Sequence, residues 1–294
     1  MRSGIINVYK EGGYTSFDVV AVLRKTLGIR KIGHTGTLDP MAEGVLPICV
    51  GKATRVVDLL TDKSKTYEAV MLLGKETDTE DITGEVLSEC DERVLSGITG
   101  ERVKDVLLSF CPEYDQLPPM YSAIKKDGKK LYELAREGKT VEREKRHVLI
   151  HEIRDIKKEG NEVSFTVFCG KGTYIRSLCR DAGNLLGCKA CLKSLKRTTV
   201  GDFSVDDALR LSKIKDSVSK EDFSFIRPID SVFLKYGRFD FATEDRKIVL
   251  NGGKIPSEKK GFFRCYLDTG EFMGIYKGDG SLLKPEKLFY EFDQ

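Results

Sequence analysis

Helical spacing dominates the first thirty residues. In TSFDVVAVLRKTLG, Val19, Val22, Leu23, Thr26 and Leu27 fall on one stripe, which predicts a helix capped by Thr15, with Asp18 in its first turn and Gly28 at its end. The period then changes. Residues 45–50, VLPICV, form an apolar run read as a strand, and residues 67–73 alternate, with Tyr67, Ala69, Met71 and Leu73 on one face and Glu68, Val70 and Leu72 on the other. A turn-rich acidic segment, KETDTEDITGE, follows. Residues 162–169 alternate again and run into GKGTYIRSLCRDAGNLLG, where Ile175, Leu178, Cys179, Ala182, Leu185 and Leu186 repeat as one helical face. Arg176 falls off that face close to the helix start, free to face a cleft. The macrodipole disfavours a cation there, so a carboxylate partner or an anionic ligand is expected. Ser204 predicts a cap on a short helix over 205–211, and a charged connector covers 212–227. From about 235 onward, short apolar runs alternate with NGG, DTG and GDG turns, the pattern of a small β-barrel.

Composition narrows the function classes. A chain of 294 residues, 40% hydrophobic and 32% charged, suits one large domain or one with a small appendage. No run of eighteen apolar residues occurs and the N-terminus has no leader-like stretch, so a cytoplasmic location without membrane contact is expected. The eight cysteines are too sparse for a disulfide scaffold and read as reduced thiols. Cys188 and Cys191 form a lone CxxC without the second pair a zinc site wants. His147 and His151 have ligand spacing for a helix, but the surrounding residues read as a strand, where the rings would lie about 13 Å apart; no metal is expected. GVLPICVGKAT fails as a phosphate loop, since six residues separate Gly44 from Gly51 where four are required and Ala53 replaces the hydroxyl residue. The net charge of +3 is small, yet residues 125–146 alone carry nine Lys/Arg against five Asp/Glu, a surplus of +4. Beside Tyr121 and Tyr132 such a stretch suits phosphate contact, although a solvated helix face has the same composition.

Candidate chemistry centres on KIGHTGTLDPMAEGVLPICVG, a loop that sets a histidine, glycines and an Asp-Pro pair ahead of an apolar strand. Taken singly, Asp39 reads as a turn residue, Tyr67 and Tyr174 as core aromatics and His34 as a loop histidine. Five blocks change that reading: GHTGTLDPMAEGVLPICVGKATR, KTYEAVMLLG with TDTED downstream, QLPPMYSAIKKDGKKLYELAREG, GKGTYIRSLCRDAG and LKRTTVGDF. Together, in this order over about residues 5–205, they resemble the TruB family of tRNA pseudouridine synthases. The last sixty residues, with NGGKI and SLLKPEKLF, resemble the small PUA-type RNA-binding domain of bacterial members.

The resemblance implies an α+β fold: a mixed, mostly antiparallel sheet flanked by helices, with the cleft across its middle. It implies a catalytic domain over 1–232, in which 117–147 is an insertion that clamps RNA, and a PUA-like domain over 235–294. The implied reaction converts uridine 55 in the T-loop of tRNA to pseudouridine, without cofactor or metal, by a monomer that binds the T-arm. By position, Asp39 matches the catalytic aspartate, Arg176 the arginine paired with it, and Tyr67 the tyrosine that stacks on the flipped uracil and is a candidate acceptor for its C5 proton. Tyr174 and Leu195 match base-pocket positions, and His34 a histidine that contacts the T-loop. An anion opposite C1′ suits glycosidic cleavage, whether it attacks C1′ or removes a C2′ proton. Two rival readings are a tRNA-folding chaperone that merely holds a flipped base and a guide-RNA-dependent relative that modifies ribosomal RNA.

Overall fold

The computed structural model describes residues 3–289. Its helix α1, Ser16–Leu27, shows why the first prediction works: Thr15 Oγ1 accepts from the Asp18 amide at 3.0 Å, the Asp18 carboxylate accepts from the Thr15 amide at 2.8 Å, and Gly28 turns the chain at φ 67°. The capped end does more than start a helix. Buried Ser16 Oγ accepts from the Leu38 amide at 2.8 Å and reaches the Leu38 carbonyl at 3.2 Å, while the Gly13 amide donates to Pro40 O at 2.9 Å. The loop carrying Asp39 is therefore clamped on both sides by the N-terminus of α1.

The main sheet is built from β1 (Gly4–Lys10), β2 (Ile32–His34), β3 (Glu43–Val50), β4 (Lys65–Leu73), β5 (Glu113–Gln116), β6 (Arg146–Glu159), β7 (Glu162–Cys169), β8 (Ala190–Val200) and β9 (Phe203–Ser204). Its order is β1-β3-β8-β4-β7-β6-β5, with β2 on β3 and β9 on β8. Every pairing is antiparallel except β3 with β8, where Glu43 and Gly44 lie beside Lys196 and Arg197. Gly44 is required at that junction: at φ +106°, its absent Cβ would lie 2.2 Å from Arg197 O. The alternation read in β4 holds, for Tyr67, Ala69, Met71 and Leu73 join Val163, Phe165 and Val167 in one core. Helix α2 (Gly100–Leu108) and helix α3 (Ile175–Leu186) cover it with Val103, Leu107, Ile175, Leu178, Cys179, Ala182 and Leu186. Helix α4 (Leu211–Ser219) and α1 cover the other end of the sheet, against Ile6, Val8, Leu46 and Ile48.

One predicted element is corrected. The helix expected over 205–211 is only a 3-10 turn, Val205–Asp207, and the longer helix begins at Leu211, inside the segment read as a charged connector. The reason lies in tertiary pairing: the Leu209 amide donates to Asn7 O and its carbonyl accepts from the Tyr9 amide, both at 2.9 Å, which draws residues 208–210 out straight along β1. The two histidines at ligand spacing do lie on a strand, β6. His147 faces Glu113 and Asp115, and His151 stacks near Phe168 with ring centroids 4.8 Å apart. All eight thiols are free.

The basic segment adopts local structure of its own. KKDGKK is a two-residue hairpin, Lys125–Lys126 paired with Lys129–Lys130, in which Asp127 and Gly128 take φ 51° and 82° as a type I′ turn demands. Helix Leu131–Arg136 follows. Beyond residue 235 lies a separate five-stranded sheet, a curled half-barrel of β10 (Gly237–Asp240), β11 (Ile255–Pro256), β12 (Lys260–Tyr266), β13 (Phe272–Asp279) and β14 (Leu282–Leu288), ordered β10-β12-β13-β14-β11. It has its own core around Phe241, Cys265, Met273 and Leu283. A second cluster, in which Phe233, Ile275 and Phe289 pack with Ile5, Val45 and Val56, joins it to the main sheet. Residues 290–294, the end of the expected C-terminal domain, and residues 1 and 2 lie outside the described residues. Among those described, no helix is long and apolar enough to cross a membrane.

Candidate active site

Asp39 and Arg176 are separated by 137 positions in sequence and meet side by side. Arg176 Nε donates to Asp39 Oδ2 at 2.8 Å and Nη2 donates to Oδ1 at 3.0 Å, so both carboxylate oxygens are bound by one guanidinium. Arg176 is held on its other edges as well. Its Nη1 donates to Thr79 O and its Nη2 to Tyr121 O, each at 2.8 Å, and Asp81 Oδ2 lies 3.8 Å from Nε. These carboxylates and carbonyls answer the oddity seen in the sequence, a cation at a helix N-terminus. The two partners differ in access: the Arg176 side chain is 4% exposed and that of Asp39 32%. Arg176 is thus not free to face a cleft as its helical position suggested; it is the buried support, and Asp39 is the reachable group.

Tyr67 sits on β4 with its ring turned to the same side of the sheet as α3. Directly across β8 from it is Arg197, and Leu195 lies across from Ala69, which puts Leu195 diagonal to Tyr67 on one face. Burial raises the Tyr67 phenol above its ordinary value, opposed by the nearby Arg197 guanidinium. Tyr174 precedes α3, and its phenol is also raised by burial, opposed by the Ser122 hydroxyl, Arg146 and Arg176. Asp39 contributes to the electrostatics of both tyrosines. Asp39, Tyr67, Tyr174 and Arg176 therefore converge on one locus, with Leu195 in the adjoining apolar wall.

His34 stands at the end of β2, paired across from Ile48 of β3. Its Nδ1 accepts from the Gly36 amide at 3.3 Å, which assigns the ring proton to Nε2, and burial followed by the Arg197 charge lowers its pKa. It is joined to the other residues through Arg197, whose Nε donates to Val45 O at 2.8 Å and whose Nη2 donates to Gly36 O at 3.2 Å.

Three supporting residues escaped the sequence reading. Arg197 is 1% exposed; the signal was a cation sharing the inward parity of Leu195 on a strand. Lys10 is wholly buried, donates to Pro40 O and Glu11 O at 3.2 Å, and has its pKa lowered to about 8 by burial, with Asp39 and Glu43 opposing. Gln116 is buried beside Tyr174, and no pattern in QLPPMYSA marked its side chain as a backbone partner. Two cavities open on the surface, one apart from this locus and one that reaches its edge at Leu195. One of about 250 Å³ sits within the basic insertion, lined by Lys125, Lys126, Arg143, Lys145 and Arg146. The other, about 590 Å³, opens among Glu68, Val70, Ser164, Thr166 and Ser194, and its lining also includes Met41, Glu43 and Leu195.

The chain matches known proteins along nearly its whole length. Residues 24–175 match the N-terminal domain of TruB family pseudouridylate synthases, and residues 176–234 match the C-terminal domain of tRNA pseudouridylate synthase B. A tRNA pseudouridine synthase B of Lachnoclostridium phytofermentans is 48% identical over 309 aligned positions, covering 98% of this chain and 99% of that one. The protein of the same name from Clostridium perfringens is 42% identical, with the same two coverages. Among solved structures, a Cbf5-Nop10-Gar1 complex contains a chain that aligns at TM-score 0.72 and 26% identity over 99% of this chain and 86% of that one. An H/ACA RNP bound to a substrate RNA containing 2′-deoxyuridine aligns at TM-score 0.71 and 25% identity, with the same coverages.

Proposed function

This chain belongs to the TruB family of pseudouridine synthases, and from that premise we propose that Asp39, Arg176 and Tyr67 form its catalytic centre. The protein isomerises uridine to pseudouridine in tRNA. The reaction breaks the N1–C1′ bond, turns the freed uracil and joins C5 to C1′; the C5 proton is lost and N1 regains one, so no atom is gained overall. The step that needs help is cleavage, because positive character builds at C1′ as the electron pair leaves with the ring. An aspartate carboxylate aimed at that carbon stabilises it, as carboxylates do in glycoside cleavage, and the same position serves either attack at C1′ or removal of a C2′ proton. Arg176 orients the carboxylate from a water-poor side. Tyr67 supplies a flat face for the uracil and, with Arg197 at its oxygen, is the candidate acceptor for the C5 proton.

The finer assignments follow the same reading. The target is uridine 55 of the T-loop, bound through the T-arm. His34, presenting its Nε2–H, replaces contacts the base gives up when it leaves its stack, a cost of a few kcal/mol. Tyr174 and Leu195 wall the base pocket. The catalytic domain spans 1–232 with 117–147 as an RNA-clamping insertion whose surplus charge follows phosphates. The PUA-like domain spans 235–294, and the enzyme acts as a cytoplasmic monomer.

The observation that carries the catalytic assignment is the two-point Asp39–Arg176 pair. Its test is tritium release from a tRNA transcript labelled at uridine C5, using pure protein with no other RNA and no cofactor. Wild type is expected to release tritium, and Asp39→Asn to release none while binding tRNA within about threefold of wild type. Turnover by Asp39→Asn overturns the assignment, and dependence on an added guide RNA favours the ribonucleoprotein type of synthase.

A further inference from the structure

A second buried ion pair lies one helical turn behind Arg176 and has no contact with Asp39. Glu80 occupies the left-handed region at φ 63° within the turn between two short paired strands, Lys75–Thr77 and Val86–Glu89, a conformation that a non-glycine residue keeps only when its surroundings hold it there. Its carboxylate accepts from Ser177 Oγ at 2.6 Å and pairs with the Arg180 guanidinium. Both side chains are nearly buried, at 10% and 14% exposure. Arg180 also pairs with Asp181 and donates from Nη2 to Leu117 O at 2.9 Å.

The neighbours of these groups give the pair its meaning. On either side of Glu80 in the chain are Thr79, whose carbonyl accepts from Arg176, and Asp81, whose carboxylate stands by Arg176 Nε. Four residues beyond Leu117 is Tyr121, whose carbonyl also accepts from Arg176. Arg143 at the far end of the insertion donates to Pro118 O at 2.8 Å. Arg176 and Arg180, four apart on α3, therefore form two parallel rungs, each tying the 79–81 turn to the root of the 117–147 insertion.

We propose that the Glu80–Arg180 pair is a positioning device for Arg176: it fixes the Thr79 carbonyl and the insertion root against which Arg176 is aligned, so that placement of the insertion over RNA and alignment of Asp39 are coupled. Neither residue touches the reacting atoms. The inference rests on the isomerase reading above, and wild-type activity in the same assay separates the two, since an inactive wild type defeats that reading and not this one alone.

The experiment is single-turnover isomerisation of a tRNA transcript with Arg180→Met and Arg180→Lys, enzyme in excess, together with tRNA binding. With enzyme in excess the amplitude reports whether folded enzyme reaches all the tRNA, while the rate constant reports the aligned site. The expected result is a rate constant reduced about tenfold or more for Arg180→Met, at full amplitude and with tRNA affinity within about threefold. Arg180→Lys keeps the charge but cannot hold Glu80, Asp181 and Leu117 O together, so a smaller loss of the same kind is expected; it decides the matter if Arg180→Met does not fold. An unchanged rate constant in a folded variant, or a loss found wholly in tRNA affinity, overturns the proposal.

Discussion

Gln116 treats Tyr174 as a neighbouring strand would. Its side-chain Oε1 accepts from the Tyr174 amide at 2.8 Å and its Nε2 donates to the Tyr174 carbonyl at 3.0 Å, closing a two-bond ring between the last residue of β5 and the residue before α3. The side chain is buried, so both bonds are shielded from water. Gln116→Leu leaves the Tyr174 amide unpaired, while the Tyr174 carbonyl still accepts from the Leu178 amide at 3.1 Å, and is expected to cost about 1–3 kcal/mol, read as a lower urea midpoint. Gln116→Glu can still accept but cannot donate when ionised, so its loss is expected to exceed that of a surface Gln→Glu change while Tyr174 keeps one bond.

Arg176→Lys keeps the charge and loses the fork. A lysine ammonium cannot bind both Asp39 oxygens and also reach the Thr79 and Tyr121 carbonyls, as the guanidinium does. Losing two charge-assisted bonds at the site is expected to slow isomerisation by about 100- to 1,000-fold, with tRNA affinity nearly unchanged. Single-turnover rates alongside filter binding check it, and a variant within about threefold of wild type would show that the fork is dispensable.

The β3–β8 junction tolerates no side chain at residue 44. Gly44→Ala sets a Cβ against Arg197 O and at an unfavourable φ, so the parallel pairing must open. A loss of about 3 kcal/mol or more is expected in urea unfolding. Arg197→Met removes the donors to Val45 O and Gly36 O and is expected to weaken both stability and activity, because the Asp39 loop and Tyr67 lean on the same guanidinium.

Lys10 makes stability depend on pH in the alkaline range. Burial lowers its pKa from 10.5 to about 8, so between those values the unfolded chain holds more protons than the native one and stability rises with pH. The contribution is on the order of 1–3 kcal/mol across the window. Lys10→Met lacks it. Urea midpoints of wild type and Lys10→Met at a pH near each end of that window are expected to show wild type gaining on the variant as pH rises; parallel shifts would contradict the assignment.

Periodicity and turn chemistry by themselves determined several local elements: the Thr15–Asp18 capping box of α1, the alternating faces of β4 and β7, and the apolar stripe of α3 apart from Leu185, which is exposed. These depend on interactions within a few residues, which the chain order states directly. The blocks around Asp39, Tyr67 and Arg176 also carried the resemblance to the TruB family, and through it the expected chemistry. What only the tertiary structure decided was everything that depends on partners far away in sequence. Residues 208–210 form no helix because β1 captures their backbone, a competition invisible in the local pattern. Arg197, Lys10, Gln116 and the Glu80–Arg180 pair look like ordinary polar residues until folding buries them, and a buried donor or charge is stable only against a specific partner. Local pattern says which residues turn inward, but not which carboxylate or carbonyl, 30 to 152 positions away, waits for them there.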